Sequence, residues 1–372
     1  MLYMLIDELK KVDNFIIFGA QVVAYGAYVA IKELAGKETD AFVVSDVERY
    51  LNAASKTDAE IAKNPDTIEG IPVKNYSDFS RDTFIVVGVT ELVQKVVVPM
   101  LRDAGYNNLF LLTQHEEHLL MRSYFDKVGL FECVDTPVLD IASGRDIDLG
   151  LYEVKNHRDK KLELHKSINP AYEYSIQAGA ALTEERIAPI MDDEGINISD
   201  RNKKYCEMTA TYYVWKNTSH DWKGIEHYRR HLLVSPDVIA ENSEVDVFLP
   251  LPYICYPNEA TQFRRFVSCD TYELLLQALK EIHPEEYNEY LAILQGQYQY
   301  TYNLVCAKAE VFDAYCEWFF EITEYMESME NEHPEIRNTR ALSYVAEVLT
   351  NIYFMSHSNE LNIKHIEKEI YT

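Results

Sequence analysis

Phe15-Ile16-Ile17-Phe18-Gly19 decides the first reading of this chain. Four apolar residues in succession leave no face for water, which suits a strand covered on both sides, and the closing glycine permits a sharp turn into a helix. The pattern repeats: Ala41-Phe42-Val43-Val44 ends at Ser45-Asp46, Phe84-Ile85-Val86-Val87 at Gly88, and Leu109-Phe110-Leu111-Leu112 at Thr113. Residues 20–35, 92–104 and 114–128, between and after these runs, carry apolar side chains at helical spacing. Buried runs alternating with amphipathic helices predict a Rossmann-like parallel sheet domain over residues 1–150. Gly70-Ile71-Pro72-Val73 reads as a short edge segment, because proline cannot donate to a central ladder.

Gly19, with Gly26 seven residues later, places helix amides where a phosphate can be met, and Asp46 ends the second strand where a ribose-binding carboxylate would sit. The G-x-G-x-x-G spacing is absent. A glycine that only allows the turn and an aspartate that only caps the next helix therefore stand beside the cofactor-binding reading. The pattern, with its G-I-P-V segment, resembles the small nucleotide-binding domain that precedes the acyltransferase part of bacterial sugar acetyltransferases. No hexapeptide repeat follows, so acetyl transfer is not implied.

A chain of 372 residues with 47% hydrophobic content suits two cores of ordinary size. Its net charge of −26, from 61 acidic against 35 basic residues, would repel a phosphate backbone, and nucleic acid is excluded as an expected partner. Six cysteines (Cys133, Cys206, Cys255, Cys269, Cys306 and Cys316) show neither a C-x-x-C pair nor zinc spacing, which fits a reducing cytoplasm. No apolar run reaches membrane-spanning length, and Met1-Leu2-Tyr3-Met4-Leu5-Ile6 is followed at once by Asp7, Glu8, Lys10 and Lys11, unlike a secretory leader. Peripheral attachment to the inner membrane face stays open.

Around residues 130–150 the periodicity fades into a connector, and a new pattern starts at Leu151-Tyr152-Glu153-Val154. The basic run Lys155–Lys161 reads as a solvated loop. Asp192-Asp193-Glu194-Gly195-Ile196-Asn197-Ile198-Ser199 places three carboxylates before a glycine, a cluster able to hold a divalent cation, though a solvated turn with a helix cap explains it as well. Asn202, Tyr205, Glu207, Thr209, Tyr212, Tyr213 and Trp215 then lie along one helix ending near Lys216-Asn217. In Gly224-Ile225-Glu226-His227-Tyr228-Arg229-Arg230-His231, two arginines and two histidines close to a strand end offer donors suited to a diphosphate; a surface basic patch is the plainer alternative.

The ordered series of 192–199, Tyr205-Cys206-Glu207-Met208-Thr209, Tyr213-Val214-Trp215-Lys216-Asn217 and 224–230 resembles domain-of-unknown-function family 4422 from about Tyr152 onward. That family is associated with capsular and exopolysaccharide glycosyltransferases of GT-A-like fold. The resemblance implies a GT-A-like α/β domain over residues 151–372, following the Rossmann-like one. It also implies a nucleotide-sugar donor, UDP-galactose in pyranose or furanose form among those to consider, and a glycan or lipid-linked glycan acceptor. GT-A enzymes generally use a D-x-D element to hold a metal on the diphosphate. Here the one D-x-D is Asp146-Ile147-Asp148, in the connector, and Glu226-His227-Tyr228-Arg229 stands at the expected place. Manganese or magnesium on Asp192, Asp193 or His227 therefore remains one reading, and direct neutralisation by arginine another.

Within the matched segments, Asn197, Asn202, Glu207 and Lys216 join His227, Tyr228, Arg229 and Arg230 as candidate substrate-binding residues. Tyr302-Asn303-Leu304-Val305-Cys306 resembles the strand lining a GT-A acceptor site, which adds Asn303; a strand-end turn is its plainer role. A helix around 340–351 puts Arg340, Tyr344, Glu347 and Asn351 on one face, and an inverting transfer needs a carboxylate base. Glu347 is the first candidate and Asp193 the second. The competing expectations are a non-catalytic nucleotide-sugar sensor or assembly subunit, and an enzyme modifying sugar phosphates.

Overall fold

The computed structural model describes residues 2–54, 66–135, 147–163, 168–337 and 339–371. The chain forms two compact units, the first from Met1–Glu132 with Leu251–Arg265 and Gln295–Gln299, the second from Cys133–Pro250, Phe266–Leu294 and Tyr300–Thr372.

The first unit opens with α1 (Leu2–Lys11), β1 (Phe15–Phe18), α2 (Val22–Ala35), β2 (Phe42–Val44) and α3 (Val47–Ala54). It continues through β3 (Thr67–Ile68), β4 (Ile71–Asn75), β5 (Phe84–Val87), α4 (Glu91–Asp103), β6 (Leu109–Leu111) and α5 (Gln114–Val128). Its sheet has the order β3-β4-β2-β1-β5-β6, parallel throughout except for β3 against β4. The apolar runs read from the sequence are its strands, and Ile16, Phe18, Val43, Ile85 and Val87 bury against Val97, Leu101 and Tyr106. Thr113 starts α5 with a capping box: its hydroxyl accepts from the Glu116 amide at 3.3 Å, and the Glu116 carboxylate accepts from the Thr113 amide at 3.0 Å. The Gly70–Val73 segment is not the edge: β4 lies one strand in, with β3 outside it. Proline is tolerated there because the ladder to β2 begins only at Val73.

The second unit starts with β7 (Leu149–Lys155), β8 (Glu173–Gln177), β9 (Ile190–Met191), α6 (Asn202–Tyr205) and α7 (Met208–Asn217). It continues with β10 (Trp222–His227), β11 (Arg230–Leu232), α8 (Pro236–Glu241) and β12 (Val247–Pro250). Next come β13 (Tyr253–Ile254), α9 (Glu259–Phe263), α10 (Cys269–Ile282), α11 (Tyr287–Gln295) and β14 (Tyr298–Gln299). Of these five, β13, α9 and β14 belong to the first unit. The chain then forms β15 (Val305–Lys308), α12 (Ala309–Ser328), α13 (Ala341–Ser356), β16 (Ile363–Ile366) and β17 (Lys368–Ile370).

The main sheet of this unit runs β16-β12-β15-β10-β7-β8-β9, with β11 and β17 attached beside β10. Along this path the ladders are parallel except where β15 runs against β10 and β12, while β11 pairs antiparallel with β10 and β17 antiparallel with β11. This is an α/β arrangement built on a largely parallel sheet. α13 buries nearly every residue from Ala341 to Phe354, which explains its apolar character all round and makes Glu347 within it an outlier.

Two local expectations are corrected. The helix expected across 202–217 is two helices, broken at Cys206 with φ 49°. The break follows from Asn202, whose side-chain amide donates to the Cys206 carbonyl at 2.6 Å and to the Thr209 hydroxyl at 2.9 Å, competing with continued helix. The strand expected over Tyr302–Cys306 starts only at Val305, because Tyr302 (φ 72°) and Asn303 (φ 52°) form a left-handed turn before it.

Candidate functional site

The site is built on a hairpin. β10 lies between β7 and β15, and its end residue His227 pairs across the turn with Arg230 of β11. Glu226, buried beneath the turn, accepts from the Leu232 amide at 2.6 Å and meets His231 Nδ1 at 2.9 Å. β17 adds a second brace by pairing antiparallel with β11, and the Tyr371 amide donates to the Arg229 carbonyl at 2.8 Å. The backbone presenting His227, Arg229 and Arg230 is thus held from the sheet side and from the chain's last strand.

Three other elements bring side chains to this hairpin. Glu207, at the start of α7, has Oε1 4.0 Å from His227 Nε2 and accepts from Asn303 Nδ2 at 2.9 Å. Asn303 in turn accepts from Thr350 Oγ1 of α13 at 3.0 Å. The Arg230 guanidinium lies 4.1 Å from the centre of the Tyr302 ring. One face of α13 supplies Glu347, which feels Glu207, Arg230, Arg340 and the Tyr302 amide.

The charges of this cluster are strongly perturbed. Desolvation, aided by the neighbouring Glu207 charge, pushes the Glu347 carboxyl up to about 7, against the pull of Arg230, the Tyr302 amide and Arg340. Burial first, then Arg230, Arg229 and His231, push His227 down to about 4 despite Glu207, so its imidazole is neutral at pH 7. Burial also lowers Arg230, which stays charged at any physiological pH. Asp159, in the loop after β7, is pushed up to about 6, by desolvation first; the Asn156 amide and Arg229 oppose the rise and Glu207 adds to it.

His227 Nε2, Arg229 Nε and Arg230 Nε are buried without a hydrogen-bond partner among the described residues. Leaving such donors unpaired costs roughly 1–3 kcal/mol each, more when charged. Three of them in one hairpin, with Arg230 acting on the Glu347 carboxyl, mark a place built to receive an anionic or hydroxyl-bearing ligand.

The structure brings together His227, Arg229, Arg230, Glu207, Asn303 and Glu347 from the sequence reading, keeps Arg340 beside Glu347 as that reading had it, and adds Asp159. Tyr228 stands in the same turn, its ring centre 5.7 Å from the Arg229 guanidinium. The other candidates do different work. Asp192 is fully buried and accepts from the Gly179 and Ala180 amides at 2.8 and 2.9 Å and from the Ser199 and Thr209 hydroxyls at 2.5 and 2.6 Å. Four donors occupy both its oxygens, which corrects the reading of Asp192 as an available metal ligand. Asp193 pairs with Arg186 at 3.4 Å. Asn197 pins the acidic turn by donating to the Asp193 and Gly195 carbonyls, both at 3.1 Å. Asn202 shapes the α6–α7 bend, and the exposed Lys216 lies 3.2 Å from the centre of the Trp215 ring.

No group of three or more histidine, cysteine or acidic side chains placed to hold a metal occurs among the described residues. Of the D-x-D element, Asp146 lies outside the described residues, and Asp148 contacts His220 Nδ1 at 2.6 Å. In the first unit, the Gly19 amide donates to the Val43 carbonyl at 2.9 Å, and at its φ of 126° a Cβ would stand 2.6 Å from the Gly88 carbonyl oxygen. Asp46 accepts from the Arg49 amide at 2.9 Å, capping α3. Both residues thus do the plainer structural job. No described helix is long and apolar enough to cross a membrane.

A family model described as domain of unknown function DUF4422 matches residues 154–359. Among solved structures, the chain is similar to the apo structure of the WbbM bifunctional glycosyltransferase, with 22% identity and a TM-score of 0.51. The likeness covers 60% of this chain and 45% of that one, less than half of its length, and it shows a shared fold. Comparison with curated proteins finds no match.

Proposed function

We propose, since the chain belongs to the DUF4422 family, that it is a glycosyltransferase moving a sugar from a nucleoside-diphosphate sugar onto a glycan or lipid-linked glycan during assembly of capsular or exopolysaccharide. One observation carries the reading: the β10–β11 hairpin holds buried, unpartnered nitrogens on His227, Arg229 and Arg230, and Arg230 acts on the Glu347 carboxyl with its raised pKa. The fold shared with a known glycosyltransferase supports it. The work takes place on the cytoplasmic side of the membrane, and galactosyl donors, pyranose or furanose, are the first to test.

In the proposed step the acceptor hydroxyl oxygen bonds to the anomeric carbon while the bond from that carbon to the β-phosphate oxygen breaks. The bonding pair leaves with the nucleoside diphosphate, and the hydroxyl proton passes to the Glu347 carboxylate. Arg229 and Arg230 meet the charge that develops on the leaving diphosphate, with His227 as a neutral hydrogen-bonding partner. Among the described residues the metal candidates do not make a ready set for manganese or magnesium: Asp192 accepts four protein donors, Asp193 pairs with Arg186, and Glu207 lies 4.0 Å from His227. The paired guanidiniums take over the electrostatic task instead.

Mass spectrometry of products from UDP-galactose and glycan acceptors tests this. Arg229→Ala and Arg230→Ala should each weaken donor affinity by roughly ten-fold or more, the worth of a charge-assisted hydrogen bond. Glu347→Gln should keep donor affinity and lose transfer by about 10²–10⁴-fold. EDTA should leave donor affinity unchanged. Tight donor binding by the unmodified protein without turnover on any acceptor would instead identify a sensor.

A further inference from the structure

Phe266 is 54% exposed in the short segment between α9 and α10, an unusual place for a large apolar ring. It is held in a fixed attitude: its ring stacks on Tyr344 of α13, with centroids 5.5 Å apart and planes 15° from parallel. The Arg340 guanidinium lies 5.9 Å from the Tyr344 ring centre. Arg340, Tyr344 and Glu347 follow at helical spacing, so Tyr344 lies about one turn of α13 from the proposed base. An ordered, solvent-facing aromatic surface therefore continues the helix face that ends at Glu347.

A sugar ring is amphipathic, with a face of C–H groups and a rim of hydroxyls. The C–H face suits an aromatic ring, and the rim suits charged donors and acceptors placed around it. Here the flat face is Phe266 backed by Tyr344, the charged group beside it is Arg340, and Glu347 lies about one turn further along α13. Diphosphate recognition calls for other groups, the guanidiniums and imidazole of the hairpin.

We propose that Phe266 and Tyr344 form the acceptor subsite, a stacking platform that takes the apolar face of a hexose at the acceptor end and turns its hydroxyl toward Glu347. The proposal rests on the glycosyltransferase reading, and it names residues that reading does not use. As an exposed side chain, Phe266 is replaceable without loss of the fold.

Saturation-transfer NMR with methyl and octyl β-hexopyranosides tests the platform directly, with UDP binding measured in parallel by calorimetry. Protein-to-ligand transfer should concentrate on the C–H groups of one sugar face, disappear in Phe266→Ala, and persist in Phe266→Trp and Arg229→Ala. In transfer assays Phe266→Ala should raise the acceptor KM by about ten-fold, the scale of one aromatic stacking contact, while leaving UDP affinity and donor hydrolysis unchanged. Hexoside signals that survive Phe266→Ala unchanged, or their absence from the unmodified protein, overturn the platform. Failure of the unmodified protein to bind UDP overturns the transferase reading instead, whatever the hexosides do.

Discussion

Glu347 combines two demands that rarely coincide in one helix residue. It sits in a helix packed on nearly all sides, and desolvation together with Glu207 holds its carboxyl near pH 7, where a general base can both take and release a proton. Because the base must be ionised, kcat/KM should rise with pH along an acid limb of apparent pKa near 7, and that limb should vanish in Glu347→Gln. The same shift has a stability consequence. A carboxyl raised from 4.5 to about 7 by folding stabilises the native state fully below pH 4.5, and this contribution is lost as pH rises through 7. Glu347→Gln should therefore raise the unfolding free energy above pH 7 by up to about 3 kcal/mol if the full shift is realised, read as a higher melting temperature. His227 works in the opposite sense. Lowered from 6.5 to about 4, it contributes stability above pH 6.5 that is lost as the solution is acidified through 4, and the acid-side loss should shrink in His227→Gln urea melts.

The bend between α6 and α7 is where local structure sets the site. It turns on the Asn202 side chain and on Asp192, which gathers two amides and two hydroxyls from three segments. Asp192→Ala would leave the Gly179 and Ala180 amides and the Ser199 hydroxyl without their acceptor, while Thr209 keeps the Cys206 carbonyl, and should cost about 3 kcal/mol or more in urea unfolding, with weaker donor binding because Glu207 follows directly after the bend. The strands β1, β2, β5 and β6 were legible in the sequence because continuous apolar runs bounded by turn residues admit few other readings. The H-Y-R-R turn was legible because its donors are contiguous. The bend was not, since the competition that breaks the helix draws on Gly179, Asp192 and Thr209, brought together only by folding. Asp159 was missed for a similar reason: in the sequence it sits in a basic run, and only the fold sets it beside Arg229 and Glu207. Glu207 and Asn303, 96 residues apart, meet through a turn that the sequence reading took as strand.

At the scale of the whole molecule, the two units have separate sheets. The proposed donor and acceptor groups all lie in the second unit, whereas in the first Gly19 and Asp46 are engaged in turn and cap. A ligand stabilises only the species that binds it, by mass action. UDP should thus raise the unfolding transition of the second unit in differential scanning calorimetry and leave any separate transition of the first unmoved. The claim beneath all of this is that Arg229 and Arg230 hold the diphosphate. Isothermal titration of UDP into the unmodified protein and the Arg229→Ala/Arg230→Ala double variant tests it most directly. The predicted result is a loss of affinity of about 100-fold or more in the double variant; equal affinity in the two proteins would contradict it.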